Sequence, residues 1–532
     1  MLIHIRLILL NLFFILCSTF SEAQNETNFW FFGQFAGLDF SSGTPTTISS
    51  GQVNNVEGAS AASDPITGAL LFYSDGKTVW DASHTIMPNG SGLLGGFSST
   101  MAALIVPKPG STKIFYLFTT DQYQNDGLNG FRYHIIDMAA NSGMGDVITK
   151  NILLFTPCAE INHAVKHANC IDYWIISQDA IGNNYNVYLL DSTGLLTSPV
   201  ISSIGFSSAE AGWGTGKFSP NGKKFAMAHG DYGGDNTLQL FDFNSLTGKL
   251  SNCLNLSNEE TWYGISFSPD NSKLYASGGN WGATKVFQWD VSSGNNSTIL
   301  GTKTYIGDNT FAFCQFQIGK DNKIYLSRDG QSSLSCIFNP NSSGTACNYS
   351  SASVPIIGTC HYGLPAFPEN YFDQSPPGES IFDGYDTTII WGTSATLFSN
   401  GSGNITWTPS TYLSCTSCAN PIITPEEDIE YIYSDDNNGF GCAIKKKVRI
   451  KVEYLPSIPN VFTPNSDGNN DVFYINRLPN NSKLQIYNRW GTILLNTDNY
   501  TNNWTTSIDG VYYYLLTVHE KEYKGFVQVL GN

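Results

Sequence analysis

The sequence predicts an all-β protein: a seven-bladed β-propeller over 24–374, followed by two smaller β-sandwiches. Three observations carry this. A turn motif recurs, FSPNGKKF at 218–225 returning as FSPDNSKL at 267–274 and, more loosely, as IGKDNKI at 318–324, so the steps from Phe218 to Phe267 to Ile318 are 49 and 51 residues. Each copy reads as strand, tight turn and strand, and a period near 50 residues with several strands per unit marks a propeller. Only 13% of residues are charged while 13% are aromatic, and Gly, Ser, Asn and Thr are abundant; that balance suits strands and turns in an extracellular setting better than cytosolic helices. The chain of 532 residues is also too long for a single core.

The elements follow in order. Residues 1–23 read as an export signal: Arg6 supplies charge, 7–16 form an apolar stretch broken only by Asn11, and Ser21-Glu22-Ala23 is a small-x-small cleavage site, placing the mature start at Gln24. Cys17 follows Leu16 rather than a small residue, which argues against a lipid anchor, and no later run reaches the roughly 18 apolar residues of a membrane helix. Six propeller units are visible, with weaker turns at 64–73, 107–117 and 168–176 ahead of the three clear ones and third strands at 187–191, 238–243 and 286–291. The chain ends supply the seventh: 29–40 offers two short outer strands and 363–367 an inner one, and joining them removes exposed sheet edges. The SPDG-type turns resemble those of WD-repeat and TolB-like propellers.

The Pro- and Gly-containing stretch 375–379 reads as a linker. Beyond it, 380–454 carries strand patterns at 387–397, 405–407, 430–433 and 447–452. With WTPS at 407–410, CTSC at 415–418 and NGFGC at 438–442, this region resembles the PKD or Ig-like modules, an Ig-like sandwich whose usual role is spacing. Cys415 and Cys418 are the one local disulfide candidate, read as a loop staple, because zinc needs further ligands and a redox motif needs a thioredoxin context. The run Lys445-Lys446-Lys447 reads as a solvated strand edge.

The last 75 or so residues carry PNVFTPNSDGNNDVF at 459–473, KLQIYNRWG at 483–491, DGVYYYLL at 509–516 and EYKGFVQVL at 522–530. Physically this is a small antiparallel sandwich in which Tyr512, Tyr514, Leu516 and Val518 share one face by the two-residue period, Asp509-Gly510 makes the turn before them, and Trp490 contributes to the core. The order and spacing of these blocks closely resemble the gliding-motility-associated C-terminal domain of Bacteroidetes, carried here by Pro464, Asp467, Gly468, Asp471, Arg489, Trp490, Gly491, Gly510 and Gly525. In that family the domain is a sorting signal for the type IX secretion system at the outer membrane. The resemblance therefore implies that machinery as a partner over 456–532, and export to the cell surface or the medium. Two departures stand out: Ser466 replaces the usual Gly, and Asn503-Trp504-Thr505 replaces the usual Trp-Asp-Gly. Asn465, Asp467, Asn469 and Asp471 alternate as in a calcium loop, but no Glu stands at the twelfth position, so the segment reads as an Asx/Gly turn.

The net charge of −17 excludes nucleic acid and anionic membrane as natural partners. Without Cys17 ten cysteines remain, an even number compatible with disulfides in an oxidising compartment. No catalytic residue or metal site is expected, and no cofactor other than that weak calcium candidate. His163 and His167 lie in a strand-like context about 13 Å apart, too far to share an ion. SDGKTVW at 74–80 is similar to the sialidase Asp-box but wrongly spaced, and only Arg132 and Arg328 could meet a substrate carboxylate in this region. The expected ligand contacts are Trp213, Trp262, Tyr263 and Trp281, aromatics in Gly-rich stretches whose rings would stand clear of the core and stack on sugar. The chain thus reads as a secreted, adhesin-like binding or structural protein whose propeller takes an extracellular glycan or protein. The alternative is a glycan hydrolase or lyase whose acid pair comes from Glu57, Asp81, Glu160, Glu210 and Glu260. Two channel carboxyls roughly 5–10 Å apart across a cleft would favour it.

Overall fold

The repeated turn has the same construction in all three copies. In the computed structural model, which describes residues 25–209, 212–230, 236–280, 283–309, 313–374, 381–399, 404–436 and 443–531, Gly222, Asn271 and Asn322 occupy one turn position with φ of +64°, +65° and +63°. Gly and Asn tolerate that left-handed conformation. Their N–H groups donate to the carbonyls of Ser219, Ser268 and Gly319 at 2.8 Å. The Ser219 and Ser268 hydroxyls accept from the N–H of Lys224 and Lys273 at 2.9 Å, closing each turn on its second strand. The expected export signal, the 375–379 linker, Glu210, Trp281 and Cys442 lie outside the described residues.

The chain divides into two units, 1–378 and 379–532, and its architecture is all-β. Among the described residues between 29 and 360 the first unit forms seven successive antiparallel sheets. The first has three strands, Phe29–Phe32, Ala36–Asp39 and Thr46–Ile48. The others begin with Ser60–Ser63, Ala103–Pro107, His163–Lys166, Gly216–Phe218, Thr261–Phe267 and Phe316–Ile318. Apolar clusters lie between consecutive sheets: Trp174 and Ile176 against Phe218, Phe225 and Phe241, then Leu238 and Leu240 against Trp262, Leu274 and Trp289. Strands therefore bury both faces, and Lys224–His229 is buried from Phe225 onward. The first sheet packs on the second and the last alike, with Phe31 stacked on Tyr73 at 4.2 Å and Trp30 edge-on to Tyr325 at 5.6 Å.

One feature of this closure differs from expectation. Residues 363–367 do not add an inner strand to the first sheet; Tyr362 and Ala366 donate instead to the carbonyls of Val56 and Ala59 at 2.9 and 2.8 Å, with Pro365 bridging Ala59. Pro365 and Pro368 have no N–H and cannot sustain a ladder. The ends meet through Gln34 and Thr359, which exchange two backbone hydrogen bonds at 2.8 and 3.0 Å, and through Phe367, 6.2 Å from Trp30.

In the second unit, Ile381–Ile390, Ala443–Glu453, Ile429–Asp436 and Asn404–Thr408 form one sheet in that order, the first pair parallel. Its core holds Trp407, Tyr431, Tyr433, Val448 and Ile450. Cys415 and Cys418 are bonded to each other, and their loop is fastened over Trp407, whose Nε1 donates to the Cys418 carbonyl at 2.9 Å. Lys445, Lys446 and Lys447 lie not on an edge but on a strand paired on both sides, where Lys447 meets Glu430 at 2.9 Å. The C-terminal segment is a single five-stranded sheet, ordered Val461–Phe462, Lys521–Val529, Gly510–Val518, Lys483–Tyr487, Ile493–Thr497, rather than two facing sheets. The strandless stretches 463–482 and 498–509 bring Phe473, Ile475, Tyr500 and Trp504 over one face. There they cover Tyr512, Leu516 and Val518, with Tyr514 packed beside them.

Among the described residues the cysteines divide between bonded and free: Cys170 is disulfide-bonded, as are Cys415 and Cys418, and the other six are free. Cys158, Cys314, Cys336, Cys347 and Cys360 are buried free thiols and Cys253 is a half-buried one. Set among apolar neighbours, they pack as small hydrophobes.

Candidate functional site

The segments that lead into successive first strands converge on one buried polar cluster. Glu57, Thr100 and Glu160 each stand three residues ahead of their strand, and Tyr263 and Gln315 come from two further sheets. Tyr263 Oη donates to Glu57 Oε1 at 2.8 Å. Glu160 Oε2 accepts from the Thr100 N–H and hydroxyl at 2.8 and 2.6 Å, and its Oε1 accepts from the Tyr123 N–H at 2.6 Å. Gln315 links this cluster to the closing segment, its Nε2 donating to the Thr100 carbonyl and its Oε1 accepting from Leu364 N–H at 2.8 Å.

Both carboxyls are buried, Glu57 6% and Glu160 2% exposed. Burial, reinforced by the nearby Glu160 charge, raises the Glu57 pKa well above the usual carboxylate range, and burial lifts Glu160 to about 7 against its hydrogen-bond donors. Glu57 Oε2 has no hydrogen-bond partner among the described residues, so an ionised Glu57 would hold its charge in the interior against the Tyr263 hydroxyl alone. The protonated pair is fully compatible with the fold below about pH 4.5, the ordinary value, and stability falls as pH rises from there through the raised folded values. Glu57→Gln keeps the acceptor for Tyr263 and removes the charge. Its melting temperature should exceed wild type at pH 8 by about 2 °C or more and match it at pH 4.5, as read by calorimetry at the two pH values.

A second buried group belongs to the closing segment. Glu369 Oε2 lies 3.2 Å from His163 Nε2 and 3.9 Å from Lys217 Nζ, all three side chains within the core. Lys217 Nζ also donates to the Phe316 carbonyl and Gln317 Oε1 at 2.9 and 2.8 Å. Phe218 N–H donates to His163 Nδ1 at 3.3 Å, which leaves the proton on Nε2, facing Glu369. Burial lowers the pKa of both His163 and Lys217. Glu369 of the closing segment thus faces the first strands of two sheets, His163–Lys166 and Gly216–Phe218.

The expected ligand aromatics do not form an exposed surface. Trp262 and Tyr263 are fully buried and Trp213 is buried. Trp262 packs on Phe287 and Trp289 at 5.6 and 5.7 Å, and Trp213 on Tyr123 at 5.3 Å. Glycines on the paired strands explain the reversal: Gly230 lies opposite Trp213 and Gly278 opposite Trp262, and a Cβ on Gly230 would stand 2.7 Å from Trp213 Nε1, and one on Gly278 2.8 Å from the Trp262 ring. They make room for rings to pack inward. Among the other expected carboxylates, Asp81 accepts from the N–H of Ser83 and Thr85 in its own turn, and Glu260 pairs with Lys285 at 3.0 Å. His167 contacts the Leu246 carbonyl, away from His163.

In the C-terminal segment Trp490 is not a core residue: it is 81% exposed, at the tip of a turn closed by Gly491 at φ +78°. Trp504 takes the core position, in ring contact with Phe462, Phe473 and Tyr512. Gly525 is required beneath the Tyr514 ring, where a Cβ would meet its hydroxyl at 2.5 Å. In the 465–471 loop Asp471 accepts from the N–H of Ser466 and Gly468 at 2.7 and 2.9 Å, Asp467 from Asn469 and Asn465 from Asp467. These acceptors are occupied by backbone, so calorimetry with millimolar calcium should give no heat of binding that Asp467→Asn abolishes. Among the described residues no group of three or more His, Cys, Asp and Glu is placed to hold a metal ion, and no helix is long and apolar enough to cross a membrane.

Comparison with known proteins places a signal at the C-terminus. Residues 456–529 match the CHU_C Type IX secretion signal domain. That domain implies handling by the type IX secretion machinery and delivery to the cell surface or the medium. No curated protein matches the chain. Similar solved structures include a candidate 6-phosphogluconolactonase from Bacteroides fragilis, at 13% identity and TM-score 0.39 over 64% of this chain and 97% of that one. PorZ, a surface component of the type IX secretion system of Porphyromonas gingivalis, matches at 13% identity and TM-score 0.33 over 93% of this chain and 62% of that one. The periplasmic gluconolactonase PpgL of Pseudomonas aeruginosa matches at 10% identity and TM-score 0.32 over 70% and 92%.

Proposed function

We propose that the chain is an adhesin-like binding or structural protein of the cell surface or medium. Its parts would be an export signal at 1–23, a seven-bladed propeller over 24–374, a linker at 375–379, a PKD/Ig-like spacer over 380–454, and a type IX sorting domain of the Bacteroidetes gliding-motility-associated kind over 456–532. The observation that carries the non-catalytic reading is the burial of Glu57 and Glu160. A hydrolase or lyase needs two carboxyls open to a cleft that admits a sugar ring and water. Here each carboxyl is enclosed and bonded to side chains or backbone of neighbouring sheets. With Trp213, Trp262 and Tyr263 internal, an extracellular glycan or protein would be met by the loops of the propeller. Screening the mature chain on a glycan array, with product analysis of every hit, tests this. Retention without a product supports binding, and a product whose formation is lost in Glu160→Gln would favour the hydrolase or lyase.

A further inference from the structure

Trp490 is the most exposed large hydrophobic residue of the C-terminal sheet, and the chain holds it there. Asn488 N–H donates to the Thr492 carbonyl and Gly491 N–H to the Asn488 carbonyl, both at 3.0 Å. Asn488 Oδ1 accepts from the N–H of Trp490 and Thr492 at 3.0 and 2.9 Å. A five-residue turn fixed by four hydrogen bonds presents the indole outward from an ordered backbone, so a partner need not order the turn itself. The Arg489 guanidinium lies 5.6 Å from the indole centroid. Lys483 and Lys524 of the same sheet pair with Asp498 and Glu522, whereas Arg489 makes no ion pair among the described residues.

The turn continues into an apolar row. Cross-strand register places Ile493 beside Tyr487, Tyr487 beside Tyr513, and Tyr513 beside Phe526. Ile493, Tyr513 and Phe526 are about half exposed, on the face opposite the core, where a groove of about 510 Å³ is lined by Tyr487, Tyr513, Leu515 and Phe526 together with Lys524. A patch of aromatics with an unpaired Arg has the composition of a binding hot spot rather than of ordinary surface.

We infer that this face, anchored by Trp490 and Arg489, is where the type IX secretion machinery grips the signal domain. The inference rests on the reading of 456–529 as a type IX secretion signal. The partner is a protein that offers an apolar pocket for the indole, rimmed by a carboxylate for Arg489. Trp490 and Arg489 position the chain for export and take no part in its fold.

The test uses the full chain in a bacterium with a working type IX system. Wild type, Trp490→Ala, Arg489→Glu and a 456–532 deletion are fractionated, and the purified forms are melted and sized. Both point variants should keep the wild-type melting temperature and oligomeric state while their surface or medium fraction falls about tenfold or more, as for loss of a hot spot. The proposal is overturned if both are exported like wild type while the deletion is retained. It is equally overturned if Trp490→Ala melts earlier, which would assign the indole to the fold, or if it dissociates a wild-type dimer without changing export, which would make a second copy the occupant. Export of the deletion itself would instead remove the signal reading on which the inference rests.

Discussion

Deleting residues 24–45 should leave the N-terminal unit aggregated rather than folded. The deletion removes Trp30, Phe31, Phe32, Leu38 and Phe40, all buried, and with them the packing of the first sheet on Tyr73 and Tyr325. Burying each such side chain contributes roughly 1.5–3 kcal/mol, so the five together approach the whole 5–15 kcal/mol by which a typical domain is stable. The loss also opens the ring at Gln34 and Thr359 and uncovers the faces of the second and last sheets. Unpaired edges and bare apolar faces associate. Size-exclusion chromatography should find the truncated protein in the void volume. A monomer with an unchanged melting transition would contradict the closure described above.

Trp504→Ala should unfold the C-terminal sheet, while Trp490→Ala should leave it intact. Trp504 is in ring contact with Phe462, Phe473 and Tyr512, its N–H donates to Tyr500 Oη at 3.1 Å, and its carbonyl accepts from Phe473 N–H at 2.9 Å. Truncating a buried Trp costs about 3–5 kcal/mol, a large part of the stability of so small a sheet. An exposed side chain usually changes stability by less than about 0.5 kcal/mol. Limited proteolysis of the purified full chain should cut the Trp504→Ala form within 456–532 and spare both wild type and Trp490→Ala. Equal resistance of all three would contradict the assignment of Trp504 to the core.

Local chemistry was readable from the sequence and long-range packing was not. The SPNG-type turns could be read because Gly222, Asn271 and Asn322 are residues that accept positive φ, and the alternation from Tyr512 to Val518 could be read because a two-residue period assigns faces. Trp213 and Trp262 misled because a glycine beside an aromatic permits either an exposed ring or a close approach, and the choice lies with a neighbouring strand. Trp490 carried a usable signal, since the residue before a left-handed Gly in Asn-x-x-Gly sits at a turn tip. The meeting of Glu57 with Glu160, and of His163 with Glu369, spans 103 and 206 positions of sequence. Glu57 and Glu160 stood in one group of five candidate carboxylates, but nothing in the sequence singled out the two that meet, and the three-residue offset they share with Thr100 appears only once the strands are placed. Lys445-Lys446-Lys447 resembled an edge because its composition is solvent-facing, but pairing on both sides is set by 381–390, far away in sequence.

The central claim is export by the type IX route through the C-terminal domain. The most direct measurement is fractionation of a type IX-competent bacterium producing the chain with and without 456–532. The full chain should reach the cell surface or the medium, and the deletion should accumulate in the periplasm. A deletion mutant recovered at the surface or in the medium in wild-type amount would contradict it.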